Sequence, residues 1–309
     1  MRRTNPEALS RMNPPLVTQA LTKRFDAHVA LRSLSLEIPA GRVVGLLGRN
    51  GAGKTTLLHL ACGLILPTSG TCTTLGRASG ELDTAELNQL GFVSQTGRFL
   101  EWMTVAQQLE FHASFYPAWD REREKRLLAE LELNPGRKIV QLSPGDQQKL
   151  GIILGVCHHP RLLLLDEPMS ALDPIARSRM LAFLIDLVRE DGSTIVISSH
   201  ILADVEKIVD WIVCLERGEL ALSAPFDELQ ETYAEWVVTS PTGGLPAGFF
   251  EPWVLSHEGN ARRARLRVRR PGAEETARFT AKHGAEIEMR PLNLEEIFPL
   301  LVNARRSAA

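Results

Sequence analysis

The sequence has 309 residues, with 35 lysines and arginines against 37 aspartates and glutamates, a formal net charge of −2. That balance excludes an electrostatic case for wrapping bare nucleic acid, which needs a large basic excess. With 44% hydrophobic and 23% charged residues, the composition is that of a soluble globular chain of about two domains, and no apolar run reaches the ~18 residues of a spanning helix.

Residues 1–15 carry Pro6, Pro14 and Pro15 without any hydrophobic period, which predicts a loose tail. Arg2 and Arg3 are followed by no apolar stretch, so no signal peptide is expected, and Met12 is an alternative start. From residue 16 to about 223, short β-rich runs alternate with helical patterns, which predicts an α/β domain with a mainly parallel sheet. The clearest strands are predicted at 43–47, 91–93, 162–166, 194–198 and 211–215, with a helix over 54–63. Between Phe99 and Leu133 a helical pattern too long for one crossover predicts a small helical subdomain, about 96–142. A hairpin at 216–222 turning at Gly218, followed by Pro225, closes this part.

A small α+β unit is expected over 226–309: strand 236–239, a Pro/Gly-rich loop 241–252, strand 265–269, helix 273–283, strand 285–289 and helix 294–302. In the strand Arg265-Leu266-Arg267-Val268-Arg269 the arginines share one face. That face suits either an anion or lipid-headgroup patch or a solvated edge. Cys62, Cys72, Cys157 and Cys214 are scattered and sit mostly in apolar runs, which reads as reduced, buried thiols in a cytosolic protein. Cys157-His158-His159 looks like a metal cluster, yet neighbouring side chains point in different directions and no fourth ligand is suitably spaced. The block 121–126 reads as a solvated helix face with i,i+4 pairs.

The strongest local signal is Gly48-Arg49-Asn50-Gly51-Ala52-Gly53-Lys54-Thr55-Thr56, which fits the phosphate-loop pattern between a strand and a helix. Glycines let backbone N–H groups curl round a phosphate, and the helix start adds unpaired donors and a favourable dipole. Lys54 supplies a point charge to the β- and γ-phosphates, and the Thr55 hydroxyl suits Mg²⁺. A second signal ends the apolar run 162–165 with Asp166-Glu167-Pro168. Asp166 suits a water-mediated contact to Mg²⁺, and Glu167 suits polarising the water that attacks the γ-phosphate. Taken alone, Asp-Glu-Pro also fits a helix start with proline at its first position. The third signal is His200, at the tip of the predicted strand 194–198, within reach of a γ-phosphate.

With these motifs in order, residues 16–223 resemble the ATP-binding subunit of an ABC (ATP-binding cassette) transporter. The resemblance implies a P-loop ATPase fold with an antiparallel β subdomain and a helical subdomain, using ATP and Mg²⁺. It implies that Phe25 stacks on adenine, where Tyr is commoner, and that Gln95 touches Mg²⁺ and couples to a membrane permease. It places Asp173 in a loop running across the interface of an ATPase dimer, and His200 on the γ-phosphate. Ser143 and Gly145 fall in the family's signature segment, which clasps the nucleotide held by the opposite subunit. The partners implied are an integral-membrane permease and a second ATPase subunit, identical or different, with no nucleic acid. The location implied is the inner face of the cell membrane.

The signature departs from the family's LSGGQ, reading Leu142-Ser143-Pro144-Gly145-Asp146. Ser143 can still cap the helix, Pro144 is tolerated at its first position, and Asp146 can return a capping-box bond. Pro144 removes an N–H donor, and the Asp146 carboxylate is expected to repel a triphosphate and weaken ATP-driven dimerisation. The ending Asn293-Leu294-Glu295-Glu296-Ile297-Phe298 resembles ATPases of type 2 ABC exporters, and 115–120 resembles a bacterial exporter subgroup. The alternatives are an importer ATPase and a soluble ABC ATPase without a permease.

Overall fold

A computed structural model describes residues 13–241 and 244–304. Residues 1–12 of the predicted tail, including the alternative start at Met12, lie outside the described residues, as do 242–243 of the Pro/Gly-rich loop. Backbone contacts divide the chain into two units that meet between Ser223 and Ala224.

The first unit is built on two sheets. β1 (Leu16–Phe25) and β2 (His28–Ile38) form an antiparallel hairpin whose last pair is Phe25 with His28. β4 (Ser69–Thr74) and β5 (Arg77–Ala78) extend that sheet in the order β2-β1-β4-β5. The second sheet has six strands in the order β10-β9-β3-β8-β7-β6. They are β3 (Val43–Leu47), β6 (Leu90–Val93), β7 (Leu162–Asp166), β8 (Thr194–Ser198), β9 (Trp211–Glu216) and β10 (Glu219–Pro225). β3 runs parallel to β8 and β9, and β7 parallel to β6 and β8. Every residue of β3, β7 and β8 is buried, as in a parallel sheet covered on both faces, and residues of the β1–β2 hairpin share one core cluster with it. β9 and β10 turn through Arg217 and Gly218, with φ of 51° and 82°.

Helix α1 (Lys54–Ala61) follows β3 directly and stops short of the predicted end, where Cys62 caps it and Gly63 has φ 71°. The short α2 (Thr84–Leu87) precedes β6. The helical pattern of 99–133 resolves into two helices, α3 (Val105–Ala113) and α4 (Arg121–Glu130). Thr104 starts the first with a capping box, and Asp120 starts the second by accepting from the Glu122 and Arg123 N–H groups. Pro117, with no N–H, lies in the break between them. The charged face of α4 is not wholly solvated. Arg123 is buried, donating to Asp191 at 2.8 Å and to the Val156 carbonyl at 3.2 Å.

α5 (Pro144–Val156) packs against β6 and ends at Cys157. The Cys157-His158-His159 side chains take separate partners. Burial pushes the Cys157 thiol up to about 12. The His158 ring stacks on Tyr116 at 4.2 Å and meets the Leu90 carbonyl at 3.2 Å, while His159 sits between Asp120 (3.1 Å) and Asp191 (3.3 Å).

His158 makes stability acid-sensitive. Burial lowers its pKa to about 4, whereas the unfolded chain binds the proton near the ordinary ~6.5. Between those values the unfolded state holds more protons, so stability falls as pH drops from ~6.5 towards 4. At pH 5 the expected loss is about 2 kcal/mol at ~1.4 kcal/mol per unit. Urea unfolding at pH 7 and pH 5 should show this loss in the natural chain and much less of it in His158→Phe; equal losses would refute it.

α6 (Pro174–Asp186) continues through a π-helical turn, Leu187–Asp191, to β8, and α7 (Leu202–Val205) lies between β8 and β9. No helix among the described residues is long and apolar enough to cross a membrane.

The second unit holds α8 (Phe226–Thr232), α9 (Ala273–His283), α10 (Leu294–Ala304) and a four-stranded antiparallel sheet ordered β12-β13-β11-β14. The strands are β11 (Tyr233–Thr239), β12 (Val254–Gly259), β13 (Arg263–Arg269) and β14 (Glu286–Pro291). Trp236, Leu266, Val268 and Phe279 pack in one apolar cluster. β12 has no counterpart among the predicted strands, because it is an exposed edge with no apolar alternation to reveal it. The β13 arginines do share a face, and acids stand opposite two of them: Glu258 across from Arg265, Glu235 across from Arg267. Charge alternates there, as on a solvated sheet face.

Candidate active site

The loop between β3 and α1 brings a cation and unpaired donors to one end of the parallel sheet. Gly53 has φ 101°, and a Cβ on it would stand 2.7 Å from the Ala30 carbonyl oxygen, so only glycine fits. No side chain caps α1 and no acid occupies its first turn, which leaves its N–H groups available to an anion. The Lys54 ammonium donates to the Gly48 carbonyl at 2.8 Å. Burial pushes its pKa down, and the nearby Glu167 and Asp166 oppose that shift.

The two carboxylates stand at the end of β7. Ser198, ending the adjacent β8, donates to Asp166 Oδ1 at 2.7 Å and accepts from the Glu167 N–H at 2.9 Å. The alternative reading of Asp-Glu-Pro as a helix start is corrected: 168–171 form a turn, and the next helix, α6, begins at Pro174. Glu167 itself has φ 49°, a left-handed conformation that costs an ordinary residue about 1–2 kcal/mol. Its Oε2 lies 2.7 Å from His200 Nδ1 and accepts from the His200 N–H at 3.2 Å.

These groups open on one cavity of about 510 Å³, lined by Phe25, His28, Ala30, Asn50, Gly51, Ala52, Gly53, Lys54, Thr55, Thr56, Gln95, Asp166, Glu167 and His200. Gly48 and Arg49 precede the lining and do not face it. The Phe25 ring carries the Lys23 ammonium 4.9 Å from its centroid. Thr55, Gln95 and Asp166 line the same space, and their side chains carry oxygen donors of the kind a hard cation takes. His28 was not singled out by any motif; the hairpin register opposite Phe25 is the signal that places it.

Ser143, Gly145 and Asp173 do not line this cavity. Ser143 caps α5 by accepting from the Asp146 N–H at 3.1 Å, with Pro144 at the first position. The capping-box return from Asp146 is not formed. Its carboxylate instead meets Arg137 and Lys149, each at 3.2 Å. Burial works to raise the Asp146 pKa, but bonds from Lys149 and Ser143 and the charge of Arg137 hold it below its ordinary value. Two cations thus offset the negative charge, and the repulsion expected of an isolated carboxylate is reduced. Asp173 caps α6, accepting from the Ile175 and Ala176 N–H groups at 2.9 and 3.0 Å.

A phosphate-binding loop, two carboxylates and a histidine at the ends of parallel strands define a P-loop nucleotide hydrolase. Residues 31–170 match the family model described as ABC transporter. The chain is 34% identical to the bacitracin transport ATP-binding protein BcrA of Enterococcus faecalis, over 69% of this chain and 70% of that one. It is 30% identical to the ABC transporter ATP-binding protein YtrB of Bacillus subtilis, over 90% and 94%. It is 32% identical to the aliphatic sulfonates import protein SsuB of Shigella flexneri, over 69% and 82%. Among solved structures, a dimeric ATP-binding cassette in a post-hydrolysis state with ADP and phosphate aligns with a TM-score of 0.61 at 27% identity, over 68% and 98%. The chain therefore belongs to the ABC transporter ATP-binding family, and its class is that of an ATP hydrolase.

Proposed function

We propose that this chain drives an exporter, as one of two ATPase subunits docked on a separate membrane permease at the cytoplasmic face. The cavity that gathers Lys54, Gln95, Asp166, Glu167 and His200 round the phosphate loop carries the ATPase part of this reading. In it the loop 50–53, Lys54 and Thr56 hold the phosphates, and Phe25 stacks on the base. Glu167 takes the proton of the attacking water, and His200 orients the Glu167 carboxylate and meets the γ-phosphate. Thr55, Gln95 and Asp166 fit Mg²⁺, which when bound neutralises charge on the phosphate oxygens. Ser143, Gly145 and Asp173 lie outside this cavity, which suits groups that act on a second subunit's nucleotide.

The direction of transport rests on the C-terminal ending. Asn293 and Glu296 form a reciprocal capping box at the start of α10, at 2.9 and 3.0 Å, within the exporter-like sequence 293–298. The identity to BcrA, a transport ATP-binding protein, supports a transport role. The identity to SsuB favours import as the second reading. Purification from detergent-solubilised membranes through a tag on this chain should bring down a polytopic permease and no solute-binding protein. Recovery of the chain alone from the soluble fraction would overturn the transport role. A binding-protein-dependent permease would establish import.

A further inference from the structure

We propose that Gln148 is a positioning residue for hydrolysis: its side-chain amide ties the start of α5 to the backbone that aims the Glu167 carboxylate. The inference rests on Glu167 acting as the base in the reading above. Gln148 is 7% exposed, one turn into α5, and no part of its amide faces the nucleotide cavity. Its Nε2 donates to the Glu167 carbonyl at 3.0 Å, and its Oε1 accepts from the Ala171 N–H at 3.3 Å. One planar amide therefore closes the 167–171 turn from outside.

Each polar group of Glu167 is held by a different element. The N–H goes to Ser198 on β8, the carboxylate to His200, and the carbonyl to Gln148 on α5 and to the Ser170 N–H at 3.2 Å. A non-glycine residue at φ 49° keeps that conformation only where its surroundings over-determine it. Remove the Gln148 donor and the carbonyl loses its bond from α5, so the peptide can relax and swing the carboxylate away from His200. The same turn touches α5 a second time: the Ala171 carbonyl oxygen lies 2.7 Å from where a Cβ on Gly145 would stand. The backbone of Ala171 thus meets Gln148 through its N–H and Gly145 through its carbonyl, three residues apart on one helix. Through these contacts, movement of the 143–146 segment reaches the Glu167 backbone within the same chain.

The test uses the full chain and Gln148→Leu, with Gln148→Glu as the second variant. Glutamate keeps the volume and the acceptor for Ala171 but cannot, when ionised, donate to the Glu167 carbonyl. Both variants should lower kcat for ATP roughly 10- to 100-fold, with KM and the affinity for a fluorescent ATP analogue changed less than about threefold. In a Glu167→Gln background, Gln148→Leu should lower turnover no further, because the group it positions is already gone. Amide exchange at Ala171 should speed at least about tenfold in Gln148→Leu whether or not ATP is turned over. Unchanged exchange at Ala171, or a loss additive with Glu167→Gln, would overturn the proposal. Faster exchange with unaltered hydrolysis would overturn it as well, whereas full turnover in Glu167→Gln alone would refute Glu167 as the base.

Discussion

Glu167→Gln should cut ATP turnover at least about a hundredfold while leaving ATP affinity within a few-fold, and should make an ATP-bound dimer persist on gel filtration. The magnitude follows from the proposed role of Glu167 as general base, since such a base contributes roughly 10²–10⁴ to a proton-transfer step. The amide is the right size to replace the carboxylate, and its oxygen can still accept from the His200 N–H, now at 3.2 Å. What it cannot do is take a proton from water. Glu167 is buried and its backbone is held at three points, so the substitution changes chemistry without vacating space. Affinity should survive because the phosphate loop, Lys54 and Thr55 are untouched. Retention of full turnover would remove Glu167 from the role of base, and with it the reason for its left-handed backbone.

How much of this was legible in the sequence depends on which residues carry local patterns. The phosphate loop, the Asp166-Glu167 pair and His200 were legible because each sits at the end of a buried parallel strand, where an apolar run breaks into polar residues. Their convergence follows from strand order: β3, β7 and β8 are neighbours in one sheet, so their ends meet. Ser198 and Gln148 were not legible as site residues, since nothing local distinguishes a strand-end serine or a helical glutamine. Their importance comes from contacts 31 and 19 residues away in sequence. Arg123 escaped for the related reason that a helix of alternating charges gives no sign of which side chain is buried against Asp191. The Asp146 charge stands out in the sequence, but its partners do not. Arg137, nine residues earlier, is one of its two cationic partners. Edge strand β12 was missed because hydrophobic periodicity reports burial, and an exposed edge has none.

Lys54→Ala should abolish measurable ATP binding at concentrations that saturate the natural chain, an affinity loss of at least about a hundredfold. The cavity wall carries Asp166 and Glu167, both negative and both within range to oppose a triphosphate. Lys54 is the cation that offsets them, as their effect on its own titration shows: burial lowers its pKa while Glu167 and Asp166 work to raise it. Two unit charges about 4 Å apart interact by roughly 4 kcal/mol at an effective dielectric near 20. Most of that attraction to the phosphates is lost on truncation, which gives two to three decades in affinity. Stability without nucleotide should change much less, because removing a buried ammonium also removes its desolvation cost. The two effects separate in one measurement. The thermal midpoint of Lys54→Ala without nucleotide should lie within a few degrees of the natural chain, and the upward shift produced by Mg-ATP should vanish. Lys54→Arg should not restore it, since the slot at 7% exposure accommodates a slender ammonium and not a planar guanidinium. An undiminished Mg-ATP shift in Lys54→Ala would mean that the loop amides alone hold the phosphates, and that the helix start rather than the lysine sets affinity.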